Sequence, residues 1–151
     1  MIFTLSKRSL DKLEGVDDRL QEVVREAIGI TKIDFGVIEG VRSVARQKRL
    51  VNSGASQTMD SQHIHGRAVD LLAYSDGRAS WELNLYDDIA QAIKESARIN
   101  NLGIRWGGAW NIEDIRFWNG SMEKAMNYYI DSRRSVGKKP FIDGPHFEVI
   151  N

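Results

Sequence analysis

A carboxylate inside an apolar strand is the feature that most restricts how this chain can fold. Residues 67–74 have the composition of a largely buried strand, yet the apolar sequence at 68–73 contains Asp70. A buried charge is costly unless it is paired with an opposite charge or coordinates a metal. The sequence therefore predicts either a salt bridge at Asp70, most simply to Arg67 or Arg42, or a metal ligand.

The three histidines occur in only two short segments, and each segment also contains a carboxylate. His63 and His65 precede Asp70, whereas His146 lies far downstream, three residues after Asp143. In a chain without cysteine, imidazole and carboxylate groups are the remaining zinc ligands, and a catalytic site uses three of them plus an open position. His63, Asp70 and His146 would make such a set. We expect His65 to lie behind the ligands or on the substrate side; the alternative is that it replaces His63 as a ligand.

Composition limits the classes of function. The chain of 151 residues is long enough for one domain with a sizeable core, predicted to span 1–151. Basic and acidic residues both number 21, so no net charge attracts nucleic acid or membrane, and we expect no nucleic-acid partner and no membrane insertion. No apolar run reaches membrane-spanning length, and the N-terminal segment has no secretory pattern. We expect a monomer that is made in the cytoplasm.

Apolar periodicity predicts interleaved helices and strands. The predicted helices are a short one capped by Ser6 and ending at Leu13, one opened by Asp17 or Asp18, and those at 44–51, 81–100 and 122–135; the predicted strands are 33–41, 67–74, 102–106 and 146–150. The order is too irregular for a doubly wound sheet. We predict an α+β domain in which a small, mostly antiparallel sheet packs against helices and carries the zinc site.

Two motifs together resemble a known family. Ser61-x-His63-x-x-Gly66-x-Ala68-x-Asp70 and Asp143-x-x-His146-x-Glu148 resemble the zinc-dependent peptidoglycan peptidases of the D-Ala-D-Ala carboxypeptidase and dipeptidase superfamily, and within it the L-alanyl-D-glutamate peptidases that phages use as endolysins. The resemblance implies one Zn²⁺ per chain, held by His63, Asp70 and His146 with a fourth position open to water. It implies that Asp143 is the general base. Vancomycin-resistance dipeptidases usually have glutamate there, so aspartate favours the phage branch.

The same resemblance suggests residues that contact the substrate. Gly40-Val41-Arg42-Ser43-x-x-x-Gln47 is similar to a segment whose arginine binds substrate or the developing oxyanion, which makes Arg42 catalytic and Gln47 a substrate contact. Trp106-Gly107-Gly108-Ala109-Trp110 is similar to a stretch that lines the cleft, although tryptophans at such a turn are often core residues. Ala109 stands where relatives often have an acidic residue.

Two polar residues of the motifs have open assignments. Ser61 is predicted to support a ligand or to contact substrate, and a simple turn serine is the alternative. Glu148 would share a strand face with His146 and could orient its imidazole; the alternative is a surface carboxylate.

Residues 111–140 form a longer and more polar segment than the resemblance leads us to expect. Its end carries a basic run of Arg133, Arg134, Lys138 and Lys139. Such residues commonly stabilise a helix C-terminus, and contact with anionic wall polymer or lipid is the alternative.

Three functions follow from the sequence. The first is a zinc endopeptidase that cuts the L-Ala-D-Glu bond of peptidoglycan stem peptides for host cell lysis, acting on the wall after release. The second is a D-Ala-D-Ala carboxypeptidase or dipeptidase. The third is a zinc-stabilised wall-binding module without activity, which Asp143 argues against because a structural metal needs no base.

Overall fold

The computed structural model describes residues 2–150. Its helices are α1 (Lys7–Leu13), α2 (Asp18–Ile30), α3 (Val44–Asn52), α4 (Leu83–Ile99) and α5 (Met122–Ser135), with a 3₁₀ turn at Ile115–Phe117; its strands are β1 (Asp34–Glu39), β2 (Ala68–Ser75), β3 (Arg78–Ser80), β4 (Ile104–Trp106) and β5 (His146–Val149). The predicted helices are therefore all present, within two residues of their expected ends. In α1 and α3, Ser6 and Ser43 accept hydrogen bonds from backbone N–H groups in the first turn.

The strands form one antiparallel sheet in the order β1-β2-β5-β4, with β3 paired to part of β2. The predicted α+β class with an antiparallel sheet is confirmed. Strand β3 was not predicted. It forms a hairpin with β2 through Asp76 and Gly77, whose positive φ angles of 53° and 75° suit a two-residue turn.

The two faces of the sheet differ in chemistry because side chains alternate along each strand. One face packs in the core under the helices and is formed by Phe35, Val37, Val69, Leu71, Ala73, Ile104, Trp106, Phe147 and Val149. The other face carries Asp70, Arg105, His146 and Glu148. Register brings these polar residues together, since Asp70 lies opposite His146 and Arg105 opposite Glu148. The antiparallel pairing thus unites chemistry from distant parts of the sequence.

A bulge at the end of β1 adds a further carboxylate to that face. The β1–β2 register shifts between Val37 and Glu39, so that Glu39 lies opposite Asp70 while Ile38 turns outward. The observed strand β1 is therefore shorter than the predicted strand at 33–41, because the chain leaves the sheet after Glu39.

Helices α2 and α4 pack together over the apolar face, where the buried Ser96 hydroxyl donates to the carbonyl of Val23 at 2.6 Å. The buried ammonium of Lys94 donates to the carbonyls of Trp118 and Gly120, which fixes the loop before α5. No helix within residues 2–150 has the length and apolar character needed to cross a membrane.

Candidate metal centre and cleft

Three side chains converge at the polar face of the sheet. His63 Nε2 lies 3.1 Å from Asp70 Oδ1, and His146 Nδ1 lies 3.4 Å from the same oxygen. The three ligand atoms all lie within 4.8 Å of one another. Bonds of about 2.0–2.1 Å at a tetrahedral ion place neighbouring ligand atoms roughly 3.4 Å apart. The three side chains could therefore hold a tetrahedral metal ion such as Zn²⁺ after small shifts of the ligand atoms.

The loop before β2 is held tightly enough to position His63. Gly66 has a φ of +68°, and a Cβ there would lie 2.7 Å from the carbonyl oxygen of Gly15. The His63 carbonyl accepts from the N–H of Arg42 at 3.0 Å, and its own N–H donates to Ser61 Oγ at 3.2 Å. The serine of the first motif thus shapes the turn that presents His63.

Each imidazole has its second nitrogen bound by a protein acceptor. His63 Nδ1 lies 2.8 Å from the Gly40 carbonyl oxygen, and His146 Nε2 lies 2.8 Å from Glu148 Oε1. Because a carbonyl and a carboxylate only accept, these nitrogens carry the protons of the neutral rings. In a neutral ring the remaining nitrogens, Nε2 of His63 and Nδ1 of His146, have lone pairs that could bind a metal beside Asp70. When they carry a proton, the same nitrogens donate to Asp70 Oδ1. Such orientation by a second acceptor is typical of metal-binding histidines.

The electrostatics of the cluster favour a cation. Burial acts to raise the pKa of Asp70, but hydrogen bonds to His146 and His63 outweigh it and hold the pKa well below its usual range. Burial acts to lower the pKa of His146, yet Asp70 and Glu148 raise it to about 10. The site therefore attracts positive charge, which protons supply without a metal and a metal ion would supply by displacing them.

Arg42 lies beside this cluster with its donors directed at protein groups. Its guanidinium forms two bonds of 2.8 Å with Glu39, one of 2.8 Å with Gln47 Oε1 and one of 3.2 Å with Asp70 Oδ2. The salt bridge predicted for Asp70 is thus present, with Arg42 as its partner. Arg67 instead points to a backbone carbonyl of β5.

Asp143 begins the turn at 143–146, a backbone corner that is hydrogen-bonded to Gly107 just after the end of β4. Its N–H donates to the Gly107 carbonyl at 2.9 Å, the Gly107 N–H donates to the His146 carbonyl at 2.9 Å, and the His146 N–H donates to the Asp143 carbonyl at 3.0 Å. Burial, reinforced by the nearby charge of Asp70, raises the pKa of the Asp143 carboxyl above its ordinary value. A carboxylate with these properties is suited to accept a proton.

The three candidate ligands and Asp143 line one cleft of about 600 Å³, a volume suited to a ligand of small-peptide size. The predicted residues that line it are Arg42, Ser61, His63, Asp70, Trp110, Asp143, His146 and Glu148. The Trp110 ring lies 5.2 Å from the His146 ring, and its buried Nε1 has no hydrogen-bond partner in the described part of the chain.

Gln47, Trp106 and His65 were predicted to contact substrate but do not line the cleft. Gln47 is fully buried behind Arg42, where its amide nitrogen donates to Ser56 and to the Thr58 carbonyl. Trp106 is also fully buried, because strand alternation turns it into the core, where it packs on Phe147.

His65 points away from the cleft. Its side chain is 53% exposed, and Nε2 lies 3.2 Å from Asp60. Both histidines lie within a turn at 62–66, in which the His65 N–H donates to the Gln62 carbonyl at 3.1 Å, so they do not share a face as they would in an extended segment.

Sequence reasoning missed the second wall of the cleft. Arg105 from β4, together with Tyr129, Arg133 and Phe141 from α5 and the segment after it, lines the cavity. The strand alternation that places Glu148 would have found Arg105, but no local pattern distinguishes Arg133 from its neighbours in the basic run.

Comparisons with known proteins show the family of this chain. A sequence model of the family described as phage L-alanyl-D-glutamate peptidase matches residues 1–150. The L-alanyl-D-glutamate peptidase of Escherichia phage T5 is 30% identical over 115 residues, which cover 74% of this chain and 84% of that protein. The enzyme of the same name from Listeria phage A118 is 31% identical over 107 residues, 69% of this chain but only 37% of that longer protein.

The fold is also found in a solved structure. The crystal structure of the Serratia marcescens L-Ala D-Glu endopeptidase ChiX superposes with a TM-score of 0.72 at 33% identity, covering 98% of this chain and 90% of that one. The chain therefore belongs to the phage L-alanyl-D-glutamate peptidase family.

Proposed function

We propose that this chain is a zinc-dependent endopeptidase that hydrolyses the L-Ala-D-Glu bond in the stem peptides of peptidoglycan, and that it serves as an endolysin of a phage or prophage. One observation carries the proposal. Two imidazoles with fixed tautomers converge on Asp70, and the buried carboxylate of Asp143 lines the same peptide-sized cleft. A purely structural metal site would need neither the cleft nor the additional carboxylate.

Zinc is the proposed metal because two imidazoles and one carboxylate are a known ligand set for catalytic zinc. His63 would bind through Nε2, His146 through Nδ1 and Asp70 through Oδ1, the atoms that already face one another. When bound, the ion supplies Lewis-acid polarisation of the scissile carbonyl and acidifies water.

Asp143 is the proposed general base. Its carboxylate oxygen would take a proton from the attacking water and later pass it to the amine of the departing D-Glu. The raised pKa of Asp143 supports this role, since a base whose pKa lies nearer to neutral holds the proton more readily. The backbone bonds through Gly107 would keep base and ligand at a constant separation.

Arg42 and Glu148 are proposed to position the ligands. Arg42 contacts Asp70 Oδ2 and leaves Oδ1 for the imidazoles, while Glu148 fixes the ring of His146. Direct contact of Arg42 with the oxyanion, the role that the family resemblance implies, would require it to exchange one of its protein acceptors. Trp110 and Ser61 are the predicted substrate contacts that remain at the cleft wall.

The test is digestion of purified sacculi followed by labelling of new amino groups. The proposal expects new N-terminal D-glutamate, loss of activity after chelation, recovery with Zn²⁺, and one zinc per chain by elemental analysis. Release of D-alanine as the main product would instead favour the carboxypeptidase alternative. Full lytic activity of a metal-free protein would refute the zinc assignment.

A further inference from the structure

Helix α5 contributes Tyr129 and Arg133 to the wall of the cleft, and neither side chain has a role in the proposed metal centre. Tyr129 and Arg133 are four residues apart and therefore lie on the same side of the helix. The Tyr129 hydroxyl donates to the Phe141 carbonyl at 3.1 Å and accepts from its N–H at 3.2 Å. These bonds tie α5 to the segment that leads directly to Asp143. Arg133 lies on the same helix, so its side chain is on the cleft wall that the chain follows to Asp143, the proposed base.

The hydrogen-bonding capacity of Arg133 is largely unused. Among residues 2–150, its buried Nε has no hydrogen-bond partner, and its Nη2 makes one hydrogen bond, at 3.5 Å, to the Lys139 carbonyl. No carboxylate within residues 2–150 forms an ion pair with it. A buried donor without an acceptor is unfavourable, so a ligand that supplies an acceptor gains affinity there.

The other arginines of the cleft are more fully occupied. Arg42 is paired with Glu39 and Asp70. Arg105 directs both Nε and Nη2 to the carbonyl of Trp110. Among the described arginines that line the cleft, Arg133 is therefore the one with the most capacity for an incoming anion.

The proposed substrate carries a matching anion beside the scissile bond. In the L-Ala-D-Glu linkage, the D-Glu nitrogen is part of the amide that is cut, and only one of its two carboxyl groups can continue the peptide. The other carboxyl is free and ionised at neutral pH. Arginine binds carboxylate through two parallel hydrogen bonds, a geometry that lysine or an amide cannot reproduce.

We propose that Arg133 binds the free carboxylate of the D-Glu residue and makes the enzyme selective for it over the same residue with an amidated carboxyl. The inference rests on the proposed function, because it concerns the residue on the amine side of that bond. Arg133 would be a specificity-determining residue that leaves the chemical step to the metal centre and Asp143.

The experiment uses two synthetic stem peptides that differ only in this carboxyl, one free and one amidated. We expect wild type to favour the free carboxylate by at least about 10-fold in kcat/KM, the usual scale for a charge-assisted hydrogen bond. Arg133→Met should abolish that preference by slowing the carboxylate peptide while leaving the amidated one nearly unchanged. Arg133→Gln, which stays polar, should do the same. Arg134→Met, a change at the exposed neighbour on α5, is the matched control and should retain the preference.

Several outcomes would overturn the inference. Equal losses on both peptides in the Arg133 variants would indicate a structural role, and loss of the preference in Arg105→Met alone would move the anion site to Arg105. A wild-type enzyme that cuts both peptides equally well would refute the inference but leave the proposed activity intact. Failure to cut either peptide at the L-Ala-D-Glu bond would refute both.

Discussion

Replacement of Gly107 by alanine tests whether the backbone corner sets the relation between base and ligand. A Cβ at this position would lie 2.3 Å from the Asp143 carbonyl oxygen and 3.0 Å from the Cβ atoms of both Asp143 and His146. The first distance is about 0.7 Å shorter than the 3.0 Å that real Cβ contacts keep. Since the obstacles are backbone and Cβ atoms, no rotation of a side chain can relieve the clash.

The expected cost follows from that displacement. The corner must open by roughly an ångström, which would move the carboxylate of Asp143 away from the ligands. A misplacement of about 1 Å costs on the order of 10²-fold in turnover, and loosening of His146 should also weaken zinc affinity by about 10–100-fold. Overpacking of this kind costs about 1–3 kcal/mol of stability, so the melting temperature should fall by several degrees.

The assay combines turnover on a synthetic stem peptide at saturating zinc with zinc content and a melting curve. Gly29→Ala is the control, because Gly29 lies in α2 with no atom within 4 Å of an added Cβ. That variant should keep full activity and gain about 0.5–1 kcal/mol of stability. A folded, zinc-loaded Gly107→Ala protein with wild-type turnover would refute the reasoning.

The remaining predictions concern charge and ligation. Asp143→Asn should bind zinc and fold but lose about 10²–10⁴-fold in kcat, and near-normal turnover would leave Glu148 as the next candidate base. His146→Ala should remove the metal, whereas His65→Ala should leave it bound; elemental analysis distinguishes the two, and zinc loss in the His65 variant would contradict the ligand set. Burial, with the nearby charges of Glu123 and Asp88, raises the pKa of Asp87 from 3.8 to about 6, so folding loses stability as pH rises through that interval. After allowance for its partial exposure, Asp87→Asn should raise the melting temperature by about 2–4 °C at pH 8 and little at pH 4; an equal change at both pH values would argue against this origin.

Local pattern was sufficient to predict the strand that carries Asp70 and the helices around it. Apolar periodicity defines these elements because the buried face of each helix or strand repeats with its geometry. The identity of the ligand candidates followed from scarcity, since three histidines in two segments leave few ways to build a metal site.

Long-range packing determined what the pattern could not. The bulge that brings Glu39 opposite Asp70 depends on the pairing of β1 with β2, and no feature of residues 34–39 alone requires it. Arg133 and Arg134 are adjacent arginines, and no local pattern in the sequence distinguishes them. The orientation of α5 against the sheet nevertheless places Arg133 at the cleft and leaves Arg134 exposed. Trp106 looked like a cleft residue by its neighbours, but its register in β4 turns it into the core.

Asp70 shows why two competing sequence interpretations can both hold. A buried carboxylate required either a salt bridge or a metal, and the two explanations seemed exclusive when only the residue was considered. The folded protein separates them by atom, because Oδ2 contacts Arg42 while Oδ1 faces the imidazoles of His63 and His146. Arg42 offsets part of the charge permanently, and the acceptors Glu39 and Gln47 hold that arginine in place. The strand can therefore carry a charged residue among apolar neighbours while one carboxylate oxygen stays available for the metal on which the proposed chemistry depends.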